Sequence, residues 1–212
     1  MELKEVRDIV YQAGLNLVKE GLVARTWGNI SVRLDESRFV ITPSGRTYET
    51  LKPEEIVVVN IEDLSHEGDI KPSSEKGMHA EVYKNRPEIQ AVVHTHQLHA
   101  STVAAARKEV RGLSEAHAQC LGETVQCAAY ALPGTKKLKL AAGSALNGGR
   151  KAALLANHGA VCIGETMEEA FLVAKTLEEA CEAFIADSFA KRYGKSDLSL
   201  NEMHDHYLKA LA

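Results

Sequence analysis

The sequence predicts an α/β protein in which a sheet is covered by helices. Helical periodicity opens and closes the chain, while its middle alternates short apolar runs with turn residues. The chain has 212 residues, the size of one large domain, and shows no repeat, low-complexity tract or linker. We therefore expect a single domain.

The first half of the chain begins with a predicted amphipathic helix and continues in short strands. Apolar residues recur at helical spacing from Leu3 to Leu17, and Gly21 is placed to end the helix. Turn residues such as Pro43 separate the extended segments that follow. These segments lie at residues 29–34, 38–42 and 56–61.

The second half alternates predicted strands and helices. A helix is expected to start at Ser73-Ser74-Glu75, since serine caps helices and a carboxylate suits the first turn, and to end before Pro87. Strands are expected at residues 90–95, 124–131, 152–157 and 160–163. Helices are expected at 98–106, from about 135, from the capping box at Thr166 to about 191, and as an amphipathic segment at 200–211.

Composition and charge narrow the classes of function. A formal net charge of −4 argues against a general nucleic-acid binder. No apolar run approaches the roughly 20 residues of a membrane span, and no signal peptide is apparent. The four cysteines lack any C-x-x-C spacing, which suits reduced thiols. We expect a cytoplasmic protein that binds neither nucleic acid nor membranes.

Three of the nine histidines are placed to converge on a metal ion. His94 and His96 are two residues apart on a predicted strand, so both imidazoles point to one face. His158 follows a second apolar run, and Glu75 is the best candidate for a fourth, carboxylate ligand. The alternatives are polar strand ends for the histidines and a first-turn acid favoured by the helix dipole for Glu75.

Small polar residues near Glu75 in the chain suggest a phosphate site. Ser73 and Ser74 place two hydroxyls beside the free N–H groups of a helix start. Gly28-Asn29 and Ser44-Gly45 are further turn positions where a phosphate could approach the backbone. Ordinary caps and turns are the alternative interpretation.

Five segments, taken together in this order, resemble the class II aldolase/adducin family, and most closely its branch that cleaves L-fuculose 1-phosphate. They are residues 26–33 (TWGNISVR), 41–45 (ITPSG), 72–75 (PSSE), 91–96 (AVVHTH) and 157–159 (NHG). The resemblance spans roughly residues 1–190. It implies one three-layer domain over residues 1–212, with a central, largely antiparallel sheet covered by helices on both faces. It also implies a homotetramer with active sites at subunit interfaces.

The same resemblance assigns roles to residues of this chain. One zinc ion per chain would be bound by Glu75, His94, His96 and His158, although cobalt and manganese also suit such a site. The substrate phosphate would be bound by Asn29, Ser44, Gly45, Ser73 and Ser74, with Thr26 and Gly28 lining the same pocket. His79 shares a helical face with Glu75, but we interpret it as a non-ligand because the shell is already complete.

The implied activity is cleavage of a ketose 1-phosphate, such as L-fuculose 1-phosphate, to dihydroxyacetone phosphate and an aldehyde. Glu75 would also be the proton-transfer base. The candidate acids are Tyr207 and Glu115, and Glu115 stands where the family carries a tyrosine from a neighbouring subunit. Related sugar-phosphate dehydratases use a glutamate in this region, so a methylthioribulose-1-phosphate dehydratase is an alternative. A ribulose-phosphate 4-epimerase and a decarboxylase on the same scaffold are further alternatives. A non-catalytic adducin-like module is disfavoured by the intact ligands.

Overall fold

The computed structural model describes residues 2–23, 27–194, 199, 201–202, 205 and 209. The helices of this part are α1 Leu3–Lys19, α2 Lys76–Asn85, α3 Leu98–Ala105, α4 Glu115–Leu121, α5 Lys136–Ala145 and α6 Met167–Tyr193. The strands are β1 Asn29–Arg33, β2 Arg38–Ile41, β3 Val57–Asn60, β4 Ala91–Thr95, β5 Gln126–Ala128, β6 Ala152–Leu155 and β7 Gly159–Gly164. A 3₁₀ turn, Pro53–Glu55, precedes β3.

The seven strands form one sheet in the order β3-β2-β1-β4-β7-β6-β5. Every neighbouring pair is antiparallel except β5 and β6, which are parallel, so the expected largely antiparallel sheet is confirmed. The register pairs Asn29 with His94 and Thr95 with Ala160. The start of β1, the end of β4 and the start of β7 therefore meet at one end of the sheet.

Helices cover both faces of the sheet, as predicted. Because strand side chains alternate between faces, the adjacent residues Val92 and Val93 are both fully buried but belong to opposite cores. One core lies between the sheet and the helices α1, α3 and α6, with Leu17 and Leu177 among its members. The other lies under α2 and α5. This arrangement gives three layers.

Two elements differ from the sequence prediction. Helix α4 was not expected, because its seven residues bury only Leu121 and so carry no apolar stripe that periodicity could detect. Ser114 caps it by accepting a hydrogen bond from the His117 N–H. The strand expected at 124–131 is reduced to the three residues of β5, which pairs only with β6 at the sheet edge.

The predicted segment at 200–211 falls largely outside the described residues, and so does Tyr207. None of the helices described above is both long and apolar enough to cross a membrane. All four cysteines are free thiols.

Candidate active site

The three histidines predicted as ligands come together at the end of the central strands. One ring nitrogen from each of His94, His96 and His158 lies within 4.8 Å of the others. His94 is in β4 and His96 follows it, while His158 is in the tight turn between β6 and β7. Glycine is needed after His158, because a Cβ at Gly159 would lie 2.3 Å from the carbonyl oxygen of Thr95.

His94 is held in a defined orientation. Its Nδ1–H donates to the carbonyl oxygen of Ala160 at 2.8 Å, so in the neutral ring Nε2 carries a free lone pair. That Nε2 lies 2.9 Å from Nε2 of His96 and 3.2 Å from Oε2 of Glu75. The bond to the β7 backbone therefore aims the ring at the other candidate ligands.

Glu75 joins the histidine cluster to the start of α2. It is the N-cap residue of that helix and is buried. Its Oε2 accepts a hydrogen bond from Asn29 Nδ2 at 3.0 Å, and its Oε1 lies 3.5 Å from Nε2 of His158. Burial alone would raise the pKa of Glu75, but the facing His94 and His158 and the Asn29 amide hold that pKa below its usual range. The carboxylate is therefore ionised.

The donor set fits a divalent metal ion. Three imidazole nitrogens and a carboxylate oxygen are typical zinc ligands. Oε1 of Glu75 is buried without a hydrogen-bond partner among the described residues, and a cation would satisfy it. Burial lowers the pKa of His96 to about 3, so this ring is neutral and keeps its lone pair, and burial lowers the pKa of His158 as well.

An open cavity of about 430 Å³ adjoins the cluster. It is of a size typical of small-molecule sites. Its walls include every predicted phosphate-binding residue that the structure describes, together with three of the four predicted ligands. These are Gly28, Asn29, Ser44, Gly45, Ser73, Ser74, Glu75, His96 and His158. Thr26 lies outside the described residues.

Two loops and a helix start form the polar wall of this cavity. The Ser44 N–H donates to the carbonyl oxygen of Lys71 at 2.9 Å, and the Ser73 N–H donates to that of Thr42 at 3.1 Å. These bonds hold the two serine loops side by side. The Ser73 hydroxyl oxygen also accepts from the Glu75 N–H at 3.2 Å, at the start of α2. A helix N-terminus with hydroxyls beside it suits a phosphate group.

Gly28 brings a third loop close to the cluster. Its φ of +94° favours glycine, and a Cβ there would lie 2.7 Å from the carbonyl oxygen of His94. Next to it, the Trp27 ring lies 5.8 Å from the His96 ring and lines the cavity. Sequence reasoning did not single out Trp27 or the cavity residue Asn157, although both lie inside the segments that carry the family resemblance.

Two further predicted residues lie elsewhere. Glu115 is exposed in the first turn of α4 and does not line this cavity. His79 is fully buried outside the ligand cluster, where it hydrogen-bonds to Asn29 and Ser31. The sequence pattern indicated the helical face that His79 shares with Glu75, but not these partners.

Fold and site together define the class of protein: an enzyme with a candidate metal centre beside a serine-rich turn that lines the same cavity. Residues 8–185 match the family model described as Class II Aldolase and Adducin N-terminal domain, and the chain belongs to this family. It is a lyase of the class II aldolase type.

The relatives and solved structures that this chain resembles include sugar-phosphate aldolases. The chain is 38% identical over 185 residues to a 5-deoxy-D-ribulose 1-phosphate aldolase of Bacillus thuringiensis serovar kurstaki, covering 87% of this chain and 86% of the relative. It is 32% identical over 185 residues to the L-fuculose phosphate aldolase of Escherichia coli K12, covering 87% and 85%. A solved structure of an L-fuculose 1-phosphate aldolase superposes with a TM-score of 0.82 at 32% identity, covering 98% of this chain and 97% of the other.

Proposed function

We propose that the protein is a zinc-dependent aldolase that cleaves a ketose 1-phosphate to dihydroxyacetone phosphate and an aldehyde. The observation that carries this proposal is the position of Glu75, which touches the histidine cluster on one side and starts the helix of the serine turn on the other. A carboxylate placed there can act on the carbons next to a bound phosphate. The names of the relatives, one for deoxyribulose 1-phosphate and one for fuculose phosphate, support a deoxy-ketose 1-phosphate as substrate.

The candidate ligands are His94, His96, His158 and Glu75, one zinc ion per chain. When bound, the ion supplies Lewis-acid stabilisation of the negative charge that develops on the enediolate of dihydroxyacetone phosphate.

The chain's own residues provide proton transfer and orientation. Glu75 transfers the proton at the enediol carbon as a general acid–base group. Ser73, Ser74 and the Ser44-Gly45 turn bind the phosphate, and this contact, remote from the bond that breaks, orients the reacting carbons. Asn29, which hydrogen-bonds to Glu75 and lines the same cavity, is a further candidate for phosphate binding.

A second proton-transfer group must act at the aldehyde oxygen. Glu115 is a candidate, and because it is exposed on α4 and does not line its own cavity, we propose that it reaches the cavity of a neighbouring subunit. Tyr207 is the other candidate. A homotetramer with active sites between subunits fits this arrangement, and large exposed apolar side chains such as Leu98 and Leu132 are available for subunit contacts. We place the enzyme in the cytoplasm.

The test is an assay of the purified protein against a panel of ketose 1-phosphates, with metal content measured on the same sample. The panel holds L-fuculose 1-phosphate, 5-deoxyribulose 1-phosphate and methylthioribulose 1-phosphate. We expect release of dihydroxyacetone phosphate and an aldehyde, and loss of both metal and turnover in His94→Ala. Loss of water from methylthioribulose 1-phosphate without dihydroxyacetone phosphate would identify a dehydratase instead.

A further inference from the structure

A buried chain of hydrogen bonds runs from Glu75 into the core beneath the site. Asn29 links Glu75 to His79: its Nδ2 lies 3.0 Å from Glu75 Oε2 and its Oδ1 lies 2.6 Å from His79 Nε2. Ser31 links His79 to Tyr83: its Oγ lies 2.6 Å from His79 Nδ1 and 2.7 Å from Tyr83 Oη. All five side chains are buried, so this is a connected network that reaches the cavity at Asn29 and Glu75 and continues into the core.

The network follows from the periodicities of the two elements that contribute to it. Asn29 and Ser31 are two residues apart on β1 and point to the same face of the sheet. Glu75, His79 and Tyr83 are spaced by four at the start of and along α2, so they lie on one helical face. Packing α2 against β1 interleaves the two rows of side chains.

Each hydrogen bond in the network has a direction fixed by the one before it. Asn29 Nδ2 donates to the Glu75 carboxylate oxygen, so the oxygen of the same amide faces His79. That oxygen can only accept, so His79 carries its proton on Nε2.

The far end of the network is fixed in the same way. The neutral His79 ring then has a bare Nδ1, which accepts from the Ser31 hydroxyl. The Ser31 oxygen in turn accepts from the Tyr83 hydroxyl. Burial lowers the pKa of His79 to about 3, which agrees with a neutral ring. Within the described part of the chain, the hydrogen-bond partners of the His79 ring are Asn29 and Ser31, and neither is acidic.

We propose that His79 is a positioning residue, whose neutral, Nε2-protonated ring locks the Asn29 amide so that its NH₂ faces Glu75. Without the donor on His79, the amide of Asn29 is free to rotate and to turn its oxygen toward the carboxylate, which would repel it. Glu75 would then lose the bond that holds its Oε2 in place. The kinetic part of this inference rests on the function proposed for Glu75, whereas the hydrogen-bond directions do not.

The directions are tested by NMR of the full-length wild-type protein labelled with ¹⁵N-histidine. Long-range ¹H–¹⁵N spectra distinguish the two neutral tautomers and the imidazolium, and the signal missing in His79→Phe assigns the residue. We expect a neutral His79 protonated on Nε2 at pH 7, with its Nδ1 signal shifted in Ser31→Ala. A ring protonated on Nδ1, or an imidazolium, would overturn the proposal whatever the enzyme's substrate.

The positioning role is tested by two replacements at His79 in the zinc-loaded enzyme. His79→Phe fills the site but removes both hydrogen bonds, whereas His79→Gln keeps an N–H donor for the Asn29 oxygen. Residues that hydrogen-bond to the ligands of a metal site typically contribute about 10- to 100-fold to activity. We therefore expect kcat to fall about 10- to 100-fold in His79→Phe and to recover partly in His79→Gln. Thr176→Val, which removes a buried hydroxyl on α6, should stay within about twofold of wild type.

A double-mutant cycle separates positioning from general loss of structure. If His79 acts through Asn29, then adding His79→Phe to Asn29→Ala should lower kcat no further. The proposal would be overturned if His79→Phe lowered kcat equally in the wild-type and the Asn29→Ala proteins. It would also be overturned if His79→Phe alone kept full kcat. If the wild-type protein cleaves no ketose 1-phosphate, the proposed function fails, and the tautomer of His79 alone decides the hydrogen-bond directions.

Discussion

At the residue scale, the site depends on one carboxylate with different neighbours on its two oxygens. Oε2 of Glu75 is held by the Asn29 amide and faces His94, whereas Oε1 has no hydrogen-bond partner in the described structure and faces His158. One oxygen is therefore fixed and the other is available. A residue that serves as both ligand and proton carrier needs such an asymmetry.

We expect Glu75→Gln to separate these two roles. The amide keeps one coordinating oxygen but loses the basic carboxylate, so the variant should retain part of its metal while kcat falls by about 10²–10⁴. Solvent exchange of the proton on dihydroxyacetone phosphate should fall with it, because that half-reaction needs no aldehyde. Glu81→Gln, on the same helix but paired with Lys139 on the far side, is the matched control. Wild-type exchange in a zinc-loaded Glu75→Gln protein would assign the base elsewhere.

The buried His79 predicts a pH dependence of stability. Its pKa is lowered from 6.5 to about 3 in the fold, so as pH falls through this window the unfolded chain takes up a proton that the folded protein does not. The free energy of unfolding should therefore decrease toward acid, by up to about 1.4 kcal/mol per pH unit from this residue. Urea unfolding of metal-free wild type and His79→Phe at pH 7, 6 and 5 measures the difference in slope. Parallel slopes would mean that His79 titrates normally in the folded protein.

At the scale of elements, the segment that leads into α2 borders the same cavity as Glu75. The Ser73 hydroxyl oxygen accepts from the N–H of Glu75, the N-cap residue just before the helix, while Ser74 is exposed and lines the cavity. The helix therefore presents its positive end and two hydroxyls to the same space that Glu75 borders.

Replacing Ser73 and Ser74 together by alanine should weaken phosphate binding. Hydrogen bonds to charged groups contribute about 1.5–3 kcal/mol each, so KM for the phosphorylated substrate should rise at least about tenfold. Competitive inhibition by inorganic phosphate should weaken in parallel. Ser188→Ala, on the exposed side of α6, serves as the control. An unchanged KM in the double variant would exclude this turn as the phosphate site.

The sequence was enough to predict the elements that have a sustained apolar periodicity. It was also enough to predict the candidate metal ligands that lie at the ends of buried strands. His94, His96 and His158 could be found because strand spacing and apolar runs are local patterns. The bond between Asn29 and His79 joins residues 50 positions apart and depends on how α2 packs against β1, which no local pattern specifies. Helix α4 was missed for a related reason, since its short sequence is fixed by a cap and by packing on α6.

At the scale of the whole molecule, Glu115 lies away from the cavity of its own chain. The residue is exposed on α4, which packs against α6 on the sheet face opposite to α2. In the proposed tetramer, a neighbouring copy would bring Glu115 to the cavity that Glu75 borders. Cyclic symmetry would repeat this contact at each subunit interface.

Mixed tetramers test this arrangement directly. Glu75→Gln and Glu115→Gln should each be nearly inactive alone. If Glu115 acts across an interface, unfolding and refolding an equal mixture should restore up to about one quarter of wild-type activity, because that share of interfaces in a ring pairs an intact Glu75 with an intact Glu115. Native mass spectrometry should show tetramers containing both variants. Tetramers that mix without regaining activity would place Glu115 in its own chain's site, and a fully active Glu115→Gln would leave Tyr207 as the acid.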